Sequence, residues 1–254
     1  MRFSISDWIF ERMGHWLLQS ESHNKCFLCD FSRICRGIKP GDVLLIEGRT
    51  RASRIIKQVT QSPWSHAALY IGRVGEINNS RIQDILKGSE KFPDDQLLIE
   101  SEVGLGTILS PISKYKDDHI RILRPQALTN EDTEKVRDFA ITRLGKKYSV
   151  RHLFDLARFL FPWWLYPRRW RSSLFQHNAQ LPTEDICSSM IADAFQSVRY
   201  PILPLVQDDN NELQLVLRNS RLFTPRDFDH SPYFDVIKYP IIPLKSKGDY
   251  HNLR

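Results

Sequence analysis

The chain has 254 residues, 41% of them hydrophobic, enough to bury a full core in one elaborated domain. A net charge of +6, from 36 Lys and Arg against 30 Asp and Glu, permits contact with an anionic surface without identifying one. Four Cys, at 26, 29, 35 and 187, are too sparse for a small disulfide scaffold. Asp7, Glu11 and Arg12 break the N-terminus before a secretory signal could form, and no run of about 18 apolar residues is present to span a membrane. The expectation is a soluble cytoplasmic protein, with peripheral membrane contact as its variant.

In chain order, Ile5, Trp8, Ile9, Met13, Trp16 and Leu17 fall at helical spacing, predicting an amphipathic helix that docks on the main domain or lies on a membrane interface. His23, Cys26, Cys29 and Cys35 have a spacing that could supply zinc ligands. The five-residue gap and the missing second pair favour ordinary thiols, and no metal or cofactor is expected. Pro40-Gly41 opens a short apolar strand, Val43 to Ile46, closed by Gly48. A helix follows over Arg51 to Gln61, stopped by Ser62-Pro63-Trp64. Ser65 to Gly72 reads as a strand with His66 near its first residue, able to face a cleft.

Gly75 to Asp95 reads as a surface loop with one helical turn at Ile82 to Leu86. Leu97 to Ser101 and Gly104 to Leu109 read as two strands joined tightly, with Glu100 ending an apolar run. A carboxylate there suits a solvated strand end, or the orientation of an imidazole. Pro111 to Tyr115 is a short connection, His119 to Arg124 a half-buried strand, and Thr129 to Leu144 a helix with Gly145 just past its end.

Leu153 to Leu160 suggests another helix, ended by Pro162. Trp163-Trp164-Leu165-Tyr166-Pro167-Arg168-Arg169-Trp170-Arg171 is the most unusual composition in the chain. It fits a buried or capping insertion, or an interfacial membrane contact with Arg toward anionic lipid. No nucleic-acid partner is expected, because no recognisable module accompanies it. After Tyr200 an irregular region includes the polar Gln207 to Glu212, Leu222 to Asp229 suggests a capped turn, and Phe234 to Ile237 a last strand.

The organising stretch runs from Thr183 to Phe195. Counting from Cys187, apolar residues recur at Met190, Ile191, Ala194, Phe195 and Val198, one face of a helix with a thiol in its first turn. The free N–H groups and positive dipole end of such a helix favour a thiolate, the nucleophile of a cysteine hydrolase. A buried inert Cys is the plainer alternative.

Taken in order, Gly41-Asp42-Val43-Leu44, Ser65-His66-Ala67-Ala68-Leu69-Tyr70-Ile71-Gly72, Leu98-Ile99-Glu100-Ser101, Leu144-Gly145-Lys146-Lys147-Tyr148, Ile186-Cys187-Ser188-Ser189 and Thr224-Pro225-Arg226-Asp227-Phe228 resemble the permuted papain-like hydrolases of the YiiX and YebB type. That group is related to the NlpC peptidases and to lecithin retinol acyltransferase. The resemblance implies an α+β fold with a papain-like, circularly permuted NlpC-type core, a small mostly antiparallel sheet flanked by helices. It spans roughly residues 38–238 and implies one hydrolase domain at 38–245, with the aromatic insertion at about 158–175, after an N-terminal segment at 1–37. Carried over, Cys187 is the nucleophile, His66 the general base and acid, and Glu100 the group that orients the imidazole. Tyr148, Ser65 and Ser188 fall on the substrate side.

The implied activity is attack on an amide bond through a Cys-His-Glu triad and an acyl-enzyme. A lipid-directed acyltransferase or thioesterase at an anionic membrane surface is the alternative drawn from the tryptophans. A catalytically silent binding protein is the alternative drawn from Ser189, where members usually carry Glu.

Overall fold

A computed structural model describes residues 29–77, 79–87, 96–102, 105–146, 187–209 and 212–243. The expected helix at 4–19, His23, Cys26, Tyr148, the aromatic insertion and the tail beyond 245 lie outside these residues.

The centre is a six-stranded antiparallel sheet in the order β4-β3-β2-β1-β5-β8. Its strands are β1 (Val43–Glu47), β2 (His66–Arg73), β3 (Gln96–Glu102), β4 (Gly106–Pro111), β5 (His119–Pro125) and β8 (Phe234–Ile237). The helices are α1 (Phe31–Gly37), α2 (Arg51–Thr60), α3 (Ser80–Lys87), α4 (Asn130–Thr142), α5 (Cys187–Gln196) and α6 (Pro225–Asp229). The α+β architecture read from the sequence is the one observed.

Side chains alternate across a strand, so the sheet feeds two separate cores. On one face Val43, Leu45, Ala67, Leu69, Ile71, Leu97, Ile99 and Leu123 pack with Val136 and Ala140 of α4, Met190, Ile191, Ala194 and Phe195 of α5, and Phe223 and Phe228. On the other, Leu44, Ile46, Ala68, Tyr70, Leu98, Ile120 and Ile122 pack under Ile34 of α1, Ile38, Ile112 and Tyr115. Cover on both faces explains why β1 is a continuous apolar run rather than an alternating one. Helix α1 is tied in further by Arg124, which donates to the Gly37 carbonyl (2.8 Å) and clasps the buried Asp42 carboxylate at 2.9 and 2.7 Å.

Local chemistry sets the ends. Thr50 caps α2 by accepting from Ser53 N–H, and Thr129 caps α4 by accepting from Asp132 N–H. Gly145 lies just past α4 at φ 78°, a conformation glycine adopts without Cβ strain. Thr224 and Asp227 form a capping box on α6 with Pro225 inside it.

Two expectations change. The single turn at 82–86 is a full helix, α3, and the irregular stretch near Gln207 is a two-stranded hairpin, β6 (Leu205–Asp209) with β7 (Glu212–Val216).

Phe195 is fully buried and packs on Phe234 (5.2 Å between centroids) and Tyr200 (5.5 Å). Phe195→Ala should cost about 3–5 kcal/mol, seen as a lower urea midpoint with little change in slope. A midpoint within error of wild type would mean that α5 does not pack on the sheet in this way.

Candidate active site

The route into β2 is rigid. Trp64, fully buried, donates from its indole N–H to Asp229 (3.1 Å) and lies under the Arg121 guanidinium at 4.7 Å. The buried Ser65 hydroxyl accepts from Gly48 N–H (2.9 Å), and Ser65 N–H donates to the Ile46 carbonyl (3.2 Å). The next residue, His66, starts the strand opposite Ile46. Its side chain therefore projects from the face shared by Ala68 and Tyr70.

Glu100 stands opposite Ala68 in the β2–β3 register, diagonal to His66 on that same face, within reach of a long side chain. Its carboxylate has no exposure, and Oε2 lies 2.5 Å from His66 Nε2. Lys114 Nζ donates to Oε1 at 2.6 Å and also bonds Glu102, while the Tyr115 hydroxyl donates to Oε2. Both donors come from the 3₁₀ turn Ile112–Tyr115 that follows β4. Burial alone would raise the Glu100 pKa. The His66 hydrogen bond and the charges of His66 and Lys114 outweigh it and hold the carboxyl well below the usual range. The Lys114 ammonium, disfavoured by burial, is in turn raised by Glu100 and Glu102.

Lys114 and Tyr115 did not stand out in the sequence. They read as part of a short connection, and only the β3–β4 register, which pairs Glu100 with Ile108, folds that connection back over Glu100.

Cys187 is the first residue of α5; its side chain lies outside the described set. Phe195, near the far end of α5, packs on Phe234, which pairs with Pro125. That level of the sheet corresponds to the end of β2 remote from His66. From Phe195 back to Cys187 the helix rises about 12 Å, while about 17 Å of strand separates that level from His66. Helix α5 packs on the side of Ala67 and Leu69, whereas His66 and Glu100 face the side of Ala68.

Of the remaining sequence-derived positions, Ser65 and Ser188 are internal. Ser65 is 2% exposed and Ser188 0%, and the Ser188 hydroxyl donates to the Phe223 carbonyl at 2.6 Å, fastening α5 to the turn before α6. In this structure both hydroxyls serve the scaffold. Ser189 is also buried.

A second imidazole and carboxylate pair was not foreseen. His119 Nδ1 lies 3.1 Å from Glu47 Oε2, and the two residues are direct partners in the β1–β5 register, on the α5 face. Lys57 donates to the same Glu47 at 3.3 Å, and the Trp64 ring is 5.3 Å from that of His119. Among the described residues no three His, Cys, Asp or Glu side chains converge so as to hold a metal ion.

Comparison with known proteins adds a family likeness over part of the chain. Residues 37–158 match the model of the permuted papain-like amidase enzymes, YaeF/YiiX, C92 family, a stretch that carries His66 and Glu100 and ends before Cys187. No curated protein matches the chain. Among solved structures, the crystal structure of metalloprotein yiiX from Escherichia coli O157:H7 aligns at 13% identity and a TM-score of 0.48, covering 79% of this chain and 97% of that one. The likeness to the permuted papain-like amidase enzymes of the YaeF/YiiX type thus covers residues 37–158, the stretch from β1 to α4.

Proposed function

We propose that the protein is a cysteine hydrolase of amide bonds in which Cys187 is the nucleophile, His66 the general base and acid, and Glu100 the carboxylate that orients the imidazole. The observation that carries this reading is the buried, ionised Glu100 bonded to His66 Nε2. That bond commits Nε2, so Nδ1 is the nitrogen that exchanges a proton with the thiol and the leaving group. Thiolate attack on the amide carbonyl forms a C–S bond and a tetrahedral oxyanion, which the Cys187 N–H at the helix start would receive. The imidazolium then protonates the departing nitrogen as the C–N bond breaks, leaving a thioester. Water, deprotonated by the neutral imidazole, hydrolyses the thioester, and the thiolate and imidazolium return.

Because α5 approaches on the face opposite His66, the thiol and imidazole meet in this mechanism around the first residue of β2. His119 is the rival base, on the face that α5 covers. A second substrate reading, transfer or hydrolysis of a lipid acyl group, rests on Trp163, Trp164, Trp170 and the adjacent arginines. Binding to anionic vesicles that is lost when these tryptophans become Ala supports it; no binding at low salt removes its basis.

The pH dependence of alkylation at each Cys, read by peptide mass spectrometry, tests the nucleophile and its base together. Cys187 should react well below the pH of an ordinary thiol, about 8.5, lose this in His66→Ala and keep it in His119→Ala. Loss only in His119→Ala transfers the base to the other face. A Cys187 no more reactive than Cys29 and Cys35 argues for a binding protein instead.

The Glu100 carboxyl gives a stability prediction with a definite sign. Its folded pKa is depressed below the ordinary 4.5, so its contribution is complete above about pH 4.5 and fades as pH falls further toward the folded value. Near neutral pH Glu100→Gln should lose about 2 kcal/mol or more, and the gap to wild type should close in acid. A gap that stays constant with pH in urea titrations would contradict an ionised Glu100.

A further inference from the structure

We propose that Lys114 and Tyr115 are positioning residues that set the proton affinity of His66 by sharing the charge of Glu100. The inference deepens the proposed hydrolase and rests on it for its catalytic meaning. A carboxylate buried from water and bonded to an imidazole alone would hold that imidazole as the cation, because no solvent screens the pair. Hydrolysis of a thioester needs the opposite at one step, a neutral imidazole able to take a proton from water.

Here both carboxylate oxygens have a further donor. Lys114 Nζ sits on Oε1 at 2.6 Å, and the Tyr115 hydroxyl bonds Oε2, the very oxygen that His66 uses. A permanent positive charge on one oxygen and a competing O–H on the other reduce what Glu100 offers to the His66 ring. The Tyr115 ring also lies against it, 6.0 Å between centroids. Glu102 holds the Lys114 ammonium from its other side, keeping the cation on station over Glu100.

Among the described residues, β3 and the 3₁₀ turn bring charged and titratable groups to His66. Strand β3 brings Glu100 and, through Lys114, Glu102; the 3₁₀ turn brings Lys114 and Tyr115, and just beyond it Asp118 feels the Lys114 charge and is paired with Arg49 at 3.4 Å. On β1 the cross-strand neighbour is Ile46, which brings no charge.

The test is the His66 imidazole titration followed by NMR in wild type, Lys114→Met, Lys114→Arg and Tyr115→Phe, alongside the alkylation profile of Cys187. Lys114→Met should raise the His66 midpoint by about one pH unit, Tyr115→Phe by less in the same direction, and Lys114→Arg should restore the wild-type value. Tyr115→Phe removes one oxygen atom and keeps the test available if Lys114→Met fails to fold. Midpoints that stay put or fall in both variants overturn the proposal, even if stability drops, because a purely structural role moves stability alone. The titration needs no reaction at Cys187. An unreactive thiol with shifted His66 midpoints would therefore refute the hydrolase and leave the charge sharing standing.

Discussion

The constraint on which the site depends is an ionised carboxylate with no water. Glu100 is fully buried, and a charge removed from solvent must find its stabilisation in fixed donors. Three are supplied, from His66, Lys114 and Tyr115, and each constrains the backbone that carries it. The β2–β3 register must set Glu100 diagonal to His66, and the turn after β4 must fold back over β3. A slip of one residue in β3 would move the carboxylate to the α5 face, where it would stand among the apolar side chains of Leu69 and Met190. The register is thus as much an electrostatic requirement as a packing one.

Burial of the sheet on both faces is the second constraint, and it divides the molecule's chemistry. Helix α5 and the aromatic stack of Phe195, Phe223, Phe228 and Phe234 belong to one core, and the Glu100 cluster borders the other. Helix α1, with Ile34 fully packed and Asp30 N–H bonded to the Tyr239 carbonyl at 2.7 Å, completes that second core. Residues 31–37 are therefore part of what shields the carboxylate side of the sheet, although the sequence reading assigns them to the N-terminal segment 1–37.

The sequence was legible where one physical signal dominated. Apolar runs closed by turn residues marked β1, β2 and β3, alternation marked β5, and Thr129 with its acidic first turn and Gly145 marked α4. Spacing from Cys187 identified the buried face of α5, since Met190, Ile191, Ala194 and Phe195 are all in the core. His66 and Glu100 were picked out by their places in strands together with the family likeness, and they are hydrogen-bonded. What stayed hidden depends on contacts distant in sequence. Lys114 and Tyr115 lie in a four-residue turn whose composition says nothing of Glu100, and the His119–Glu47 pair exists only because β1 and β5 adjoin across 72 positions. The strands β6 and β7 were missed for a different reason, since the polar run through Gln207 to Glu212 was read as irregular chain.

The two imidazole and carboxylate pairs invite a physical choice between them. They sit at one end of the sheet, on opposite faces of β1 and its neighbours, and both are fastened by a lysine. Their carboxylates differ in what surrounds them. Glu47 is 36% exposed, so water screens its charge and its hold on His119 is that of a surface pair. Glu100 is 0% exposed, and the same Coulomb interaction acts there through a medium of much lower polarity. Control over an imidazole's proton requires a strong and fixed partner, and that condition is met at Glu100. The geometry of α5 favours the His119 side, the electrostatics favour the His66 side, and the family match includes both residues. We propose His66 as the base on the strength of that buried interaction, although α5 covers the other face of the sheet.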